Sequence, residues 1–164
     1  MSEVLDPHVC ASLLKQYFRE MPEPLLTYEF YDCFLAAACT CPPLLSLSLS
    51  LSLSLSRGRY FSYSLHILAV PPEVAVEKVK SVLKLLPIGN RITVKYLVRF
   101  LSHVSKSSDV NKMTPSNIAI VFSPNLLKPI GDDVCMQIDD TPYSNKLMEL
   151  FVTYYDEIFL VRVR

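Results

Sequence analysis

The strongest constraint on this fold is that apolar residues recur at helical spacing in segments separated by prolines. Apolar residues make up 51% of the 164 positions and charged residues 20%, which is enough apolar material for a packed core. The 12 prolines lie mostly between the periodic segments. An apolar stripe every three or four residues is the pattern of an amphipathic helix. The sequence therefore predicts an all-α fold.

The first helix is the most clearly signalled. Asp6 is predicted to cap it, with Pro7 at the first helical position. Residues 21–24, Met-Pro-Glu-Pro, are predicted to end it, because proline disfavours helical backbone in the residue before it. Its apolar stripe consists of Val9, Leu13, Leu14, Tyr17 and Phe18.

Later helix boundaries are predicted from the same kinds of signal. Thr27 and Asn90 are expected to be N-caps, since Thr and Asn side chains accept bonds from the first helical amides. Thr114 is expected to cap a further helix that begins at Pro115 and stops before Pro124.

The helical pattern breaks at residues 45–56, where Leu and Ser alternate. Alternation is typical of a half-buried strand, yet a single strand cannot satisfy its own backbone groups. A CT dinucleotide repeat also translates as Leu-Ser, and we favour this explanation, a translated non-coding repeat. With either explanation, residues 40–69 are predicted to be a disordered insertion between two parts of one domain, residues 1–39 and 70–164.

Composition excludes several functions. Sixteen basic residues balance sixteen acidic ones, which disfavours nucleic-acid or anionic-membrane binding. The three glycines form no Gly-x-Gly pattern, so no nucleotide-binding loop is predicted. No cysteine has zinc-like spacing, and no signal peptide or membrane-spanning run is visible. We expect a cytoplasmic protein without cofactor, metal, enzymatic constellation or direct membrane insertion.

Three longer segments carry a more specific signal. They are residues 14–27 (LKQYFREMPEPLLT), residues 86–90 (LPIGN) leading into 96–101 (YLVRFL), and residues 111–127 (NKMTPSNIAIVFSPNLL). Together and in this order they resemble the GTPase-activating domain of Rho-family regulators, the RhoGAP domain. The Asp-Pro-His start and residues 111–121 look most like RhoGAP proteins that also carry a membrane-curving BAR domain.

The resemblance implies a helical domain that docks on a GTP-bound Rho, Rac or related small GTPase in signal transduction and accelerates its GTP hydrolysis. Matched residue by residue, Lys15 and Arg19 correspond to the family's basic pair on the GTPase-facing helix. Asn117 corresponds to its interface asparagine. Pro124 and Asn125 match the turn that borders the interface. Recruitment to membranes is expected to depend on parts of the protein outside this chain.

One departure from the family concerns the arginine finger. The family carries that arginine in a Gly-x-Phe/Tyr-Arg-x-x-Gly loop upstream of the Lys15 helix, and only five residues precede Asp6 here. Impaired activity is therefore expected, and a non-catalytic GTPase- or protein-binding module is the alternative. Ser123, where the family commonly has glycine, is a smaller departure. None of the glycines has arginine three positions on: Gly58 is followed by Phe61, Gly89 by Ile92 and Gly131 by Val134.

Overall fold

The computed structural model describes residues 6–38, 71–131 and 134–160. These ranges contain eight helices and no strand, which confirms the all-α prediction. The predicted insertion, residues 40–69, lies outside the described residues. The helices are α1 (Pro7–Glu20), α2 (Tyr31–Ala38), α3 (Pro72–Leu85), α4 (Ile88–Ser105), α5 (Ser108–Asn111), α6 (Pro115–Leu126), α7 (Val134–Thr153) and α8 (Tyr155–Phe159).

Two helix starts follow directly from local sequence. The Asp6 carboxylate accepts a bond from the His8 amide at 2.9 Å, and the Thr114 hydroxyl accepts one from the Asn117 amide at 3.2 Å. A proline follows each cap at the first helical position, where its missing amide proton costs nothing. Both predicted caps are confirmed.

The other two predicted caps are wrong: a tertiary contact takes the Asn90 side chain, and a backbone turn separates Thr27 from the start of α2. Asn90 lies inside α4, and its side-chain amide donates to the Leu25 carbonyl at 3.0 Å instead. Helix α2 begins only at Tyr31. The Thr27 amide closes a turn onto the Pro24 carbonyl at 2.8 Å, with φ of 58° at Thr27, and its buried hydroxyl has no hydrogen-bond partner.

The predicted stop before Pro124 is also wrong, because α6 continues through Pro124 to Leu126. An internal proline removes one helical hydrogen bond and crowds the preceding turn. Neighbouring side chains support this turn. The Asn125 side-chain amide donates to the Val121 carbonyl at 2.8 Å, and the Ser123 hydroxyl donates to Asn145 Oδ1 on α7 at 2.5 Å.

The core joins helices from both sides of the undescribed segment 39–70. Helix α2 packs against α3 and α7, and α7 packs closely against α6. The rings of Phe34 and Phe151 meet edge to face, with centroids 6.3 Å apart. Burial of such aromatic and aliphatic side chains is the main favourable term in folding. The largest fully buried aliphatic side chains are Leu26, Val79, Val94, Val98, Leu101, Ile118, Leu147 and Val152.

The apolar stripe of α1 is only partly buried. Phe18 is buried and Leu14 packs against the core, whereas Val9, Leu13 and Tyr17 are exposed. Helix α4 also has a buried side and an exposed apolar side. Its exposed apolar residues follow one another at intervals of about one turn: Ile88, Ile92, Tyr96 and Phe100.

The bond from Asn90 to Leu25 is expected to be a large local contribution to stability. Replacing Asn90 by Ala leaves a carbonyl without its donor in a partly buried position, so we expect a loss of about 1–3 kcal/mol in unfolding free energy. Urea unfolding measures it. Thr93→Ala, which removes a local bond to the Gly89 carbonyl on the same helix, is the matched control, and an equal loss in both variants would contradict this role.

Stability should also depend on pH through Asp140, whose carboxylate accepts a bond from the Tyr31 hydroxyl at 2.9 Å. Burial raises the pKa of this carboxyl, the Tyr31 bond opposes the rise, and Asp32 and Asp139 add to it. A raised folded-state pKa means that the folded protein binds the proton more tightly than the unfolded chain does. The stability this provides is present below the unfolded pKa and is lost as pH rises through the folded pKa.

Asp140→Asn keeps an acceptor for Tyr31 and removes the partly buried charge. We expect it to raise the thermal midpoint at neutral pH more than at pH values below the ordinary Asp pKa. Thermal unfolding across this range is the measurement, with Asp109→Asn on α5 as the control for loss of one negative charge. A gain that is the same at every pH would show that the Asp140 carboxyl does not titrate as inferred.

Candidate functional site

The three motif segments meet at the loop that follows α1. The Leu26 amide donates to the Leu126 carbonyl at the end of α6, at 3.1 Å. The neighbouring Leu25 carbonyl accepts from Asn90 near the start of α4. These two bonds fix where α1 ends relative to α4 and α6.

The predicted basic pair lies on α1. Lys15 is half-buried and Arg19 is exposed, and they are four residues apart, which is about 6 Å along the helix axis. Lys15 lies one turn before the buried Phe18 and borders the buried side of α1, whereas Arg19 is on its exposed side. Neither side chain forms an ion pair within the described residues.

A second exposed face lies on α6, which packs against α1. Asn117, Ile120 and Pro124 are all exposed, and their spacings of three and seven residues put them on one face of this helix. The Asn117 side chain is held by a bond from Nδ2 to the Lys112 carbonyl at 2.8 Å, where the backbone has φ of 60°. Sequence reasoning missed Ile120, although its spacing from Asn117 could have indicated it.

Asn125 is placed differently from the other predicted site residues. It is only 7% exposed, and its amide is bonded to the Val121 carbonyl within α6. The structure therefore leaves Lys15, Arg19, Asn117 and Pro124 accessible on α1 and α6 and buries Asn125.

Lys128 is a further residue near this site that sequence reasoning missed. Its ammonium donates to the carbonyl of Arg19, across 109 positions of sequence. Burial, and then the charge of Arg19, lower the pKa of the Lys128 ammonium. No motif signalled it, because the contact depends on where the chain turns after α6.

Two other kinds of site are absent from the described part of the chain. There, no cluster of three or more His, Cys, Asp or Glu side chains could hold a metal ion. Among the same residues, no helix combines the length and the apolar character needed to cross a bilayer.

Comparison with known proteins identifies the family. The sequence model of the RhoGAP domain family matches residues 1–130 of this chain. The chain is 32% identical over 154 residues to mouse (Mus musculus) Rho GTPase-activating protein 24, covering 94% of this chain and 17% of that protein. It is 35% identical over 165 aligned positions to Rho GTPase-activating protein 92B of Drosophila melanogaster, covering 96% of this chain and 18% of that protein.

The fold agrees with a solved structure of the same kind. The crystal structure of human Rho GTPase activating protein 15 superposes with a TM-score of 0.71 at 30% identity, covering 97% of this chain and 61% of that one. The chain therefore belongs to the RhoGAP domain family, whose relatives named above are Rho GTPase-activating proteins. It spans less than a fifth of the length of the two curated relatives.

The two site asparagines should differ in their effect on folding. Asn125→Ala removes a buried amide bond, so we expect it to lower the unfolding free energy by about 1–2 kcal/mol. Asn117→Ala removes an exposed bond and should cost less than about 0.5 kcal/mol. Chemical unfolding of both variants measures this, and equal losses would contradict the separation of Asn125 from the exposed face.

Proposed function

We propose that this chain docks on a GTP-bound Rho-family GTPase through the docking face, defined as Lys15 and Arg19 on α1 with Asn117 and Pro124 on α6. The observation that carries the proposal is the packing of α1 against α6, which brings the helices that bear these accessible residues into one unit. Asn125 contributes from beneath this face, by holding the last turn of α6.

The chemistry of the docking face suits such a partner. Lys15 and Arg19 have no acidic partner in the described ion pairs, so they are available to carboxylates on a bound protein. Asn117 lies in the first turn of α6, near the positive end of the helix dipole, which favours a phosphate-bearing ligand. Ile120 adds exposed apolar surface between Asn117 and Pro124, as protein interfaces have at their centres.

Docking and acceleration of hydrolysis require different groups. An arginine finger stabilises charge on the transferring phosphoryl group and is worth about 10³–10⁵ in rate. Within these 164 residues no arginine follows a glycine at the family's spacing. We therefore propose that this chain activates its partner weakly at most. It is not itself the enzyme, because the GTPase carries out the hydrolysis.

We further propose that residues 1–39 and 70–164 form one domain around an insertion at 40–69. The packing of α2 against α3 supports this, because these helices flank the undescribed segment and share a core. The expected location is the cytoplasm, with membrane recruitment assigned to parts outside this chain. The placement among BAR-containing RhoGAP proteins rests on the Asp6-Pro7-His8 start and residues 111–121.

A non-catalytic GTPase- or protein-binding module is the second candidate. The same missing arginine favours it, because a module without a finger gains nothing from the charge that develops in the transition state. Binding alone cannot separate the two candidates, whereas preference for the transition-state form of the GTPase can.

Single-turnover GTP hydrolysis tests the proposal. With excess chain added to GTP-loaded Rho or Rac, we expect acceleration below about a hundredfold, against about 10³–10⁵ for a complete finger. The chain should bind the same GTPases loaded with a non-hydrolysable GTP analogue, and Arg19→Ala should weaken that binding at least about fivefold.

Lys84→Ala is the matched control, since Lys84 is an exposed cation on α3, which packs against α2 and α8. Absence of binding to every Rho-family GTPase would contradict the docking proposal. Acceleration beyond about a hundredfold would contradict the impairment and show that another group supplies the positive charge. Strong preference for a transition-state mimic would exclude the non-catalytic module.

A further inference from the structure

Lys128 stands at the C-terminal end of α1 although it belongs to the segment after α6. Helix α1 ends at Glu20 and is followed by Met21-Pro22-Glu23-Pro24. The last carbonyls of a helix need donors from outside it, and the two prolines have no amide proton to offer. The Lys128 ammonium supplies one of these donors, to the Arg19 carbonyl.

The backbone around Lys128 is held on both sides. Leu127 and Pro129 are buried, and the Leu127 amide donates to the Ser123 carbonyl at 3.1 Å. The next bond along is the one between Leu126 and Leu26, which ties the same segment to the end of α1. Lys128 is therefore directed by buried neighbours, whereas a freely exposed lysine explores many rotamers.

The Lys128 ammonium bonds to the backbone carbonyl of Arg19, and the Arg19 charge acts on it. The lowered pKa of Lys128 reflects burial first and the nearby guanidinium second. Proximity of two cations is unfavourable, and the negative end of the α1 dipole offsets only part of it. Neither cation belongs to the ion pairs of the described residues. An acidic partner surface would neutralise both.

We propose that Lys128 is a positioning residue of the docking face: it closes the end of α1 and holds Arg19 where an acidic surface of the GTPase meets it. This inference rests on the proposed function, since the partner surface is that of the GTP-bound GTPase. With this role for Lys128, the segment after α6 contributes to the docking face. Lys128 acts through Arg19, so the two residues should be energetically coupled.

A double-mutant cycle tests this coupling. Binding of the full chain to a Rho-family GTPase loaded with a fluorescent non-hydrolysable GTP analogue is titrated by fluorescence anisotropy. Lys128→Met should weaken binding about fivefold, and Lys128→Arg, which keeps the charge and the donors, should stay within about twofold. In the Arg19→Ala background, Lys128→Met should weaken binding by less than about 1.5-fold.

Asn117→Ala and Lys84→Met provide the controls. Lys128→Met should keep its fivefold cost in the Asn117→Ala background, because Asn117 lies in the first turn of α6, whereas Lys128 follows the end of that helix. A general loss of structure would lower binding in both backgrounds equally. Lys84→Met removes an exposed lysine on α3 and should leave binding within about 1.5-fold. If Lys128→Met does not fold, Lys128→Gln carries the same cycle.

The outcomes separate the two proposals. If the chain binds and Arg19→Ala weakens binding while Lys128→Met has no effect, or an effect that simply adds to that of Arg19→Ala, the role of Lys128 is overturned and the proposed function stands. If the unaltered chain binds no Rho-family GTPase, both are overturned. A smaller effect of Lys128→Met on binding in the Arg19→Ala background, but not in the Asn117→Ala background, together with rescue by Lys128→Arg, supports the inference.

Discussion

The structure depends on two hydrogen bonds to a short turn segment, Leu25–Leu26. The Asn90 side chain bonds to the Leu25 carbonyl, and the Leu26 amide bonds to the Leu126 carbonyl. Through them, the loop after α1 is attached to the start of α4 and to the end of α6. Both leucines are buried, so the polar groups of this segment need these partners. These bonds join the three motif segments of the sequence, since each segment contributes at least one of the bonded residues.

The sequence could predict what depends on neighbouring residues. Asp6 and Thr114 cap their helices because the groups involved lie within three positions of each other. Thr27 and Asn90 are equally good caps by residue type, yet a turn at Pro24 takes the Thr27 backbone out of the helix and Leu25 binds the Asn90 amide. Capping propensity reflects residue type and near neighbours, so it could not predict that Asn90 bonds to Leu25, 65 positions away. For the same reason, local sequence could not predict that α6 continues through Pro124, where tertiary packing supports the helix.

The candidate site divides along the same line. The family motif indicated Lys15, Arg19, Asn117, Pro124 and Asn125, without distinguishing exposed from buried members. Burial at 7% separates Asn125 from the others, and this depends on how α6 packs. Ile120 and Lys128 belong to the same region in the structure. Helical spacing could have indicated Ile120, whereas only the tertiary fold brings Lys128 to Arg19.

Ser123 illustrates how a departure from the family pattern is accommodated. A glycine at this position would have no side chain, whereas the buried Ser123 hydroxyl bonds to Asn145 on α7. A buried hydroxyl is costly unless it is paired, and here the pairing joins the two most closely packed helices.

The bond between Ser123 and Asn145 stabilises the last turn of α6, which positions Pro124 and leads into Lys128. The proposed docking face therefore depends on the helical packing as a whole. Rate acceleration depends instead on one arginine delivered to the phosphates. Because the two requirements involve different parts of a domain, a chain can keep partner recognition while contributing little to catalysis.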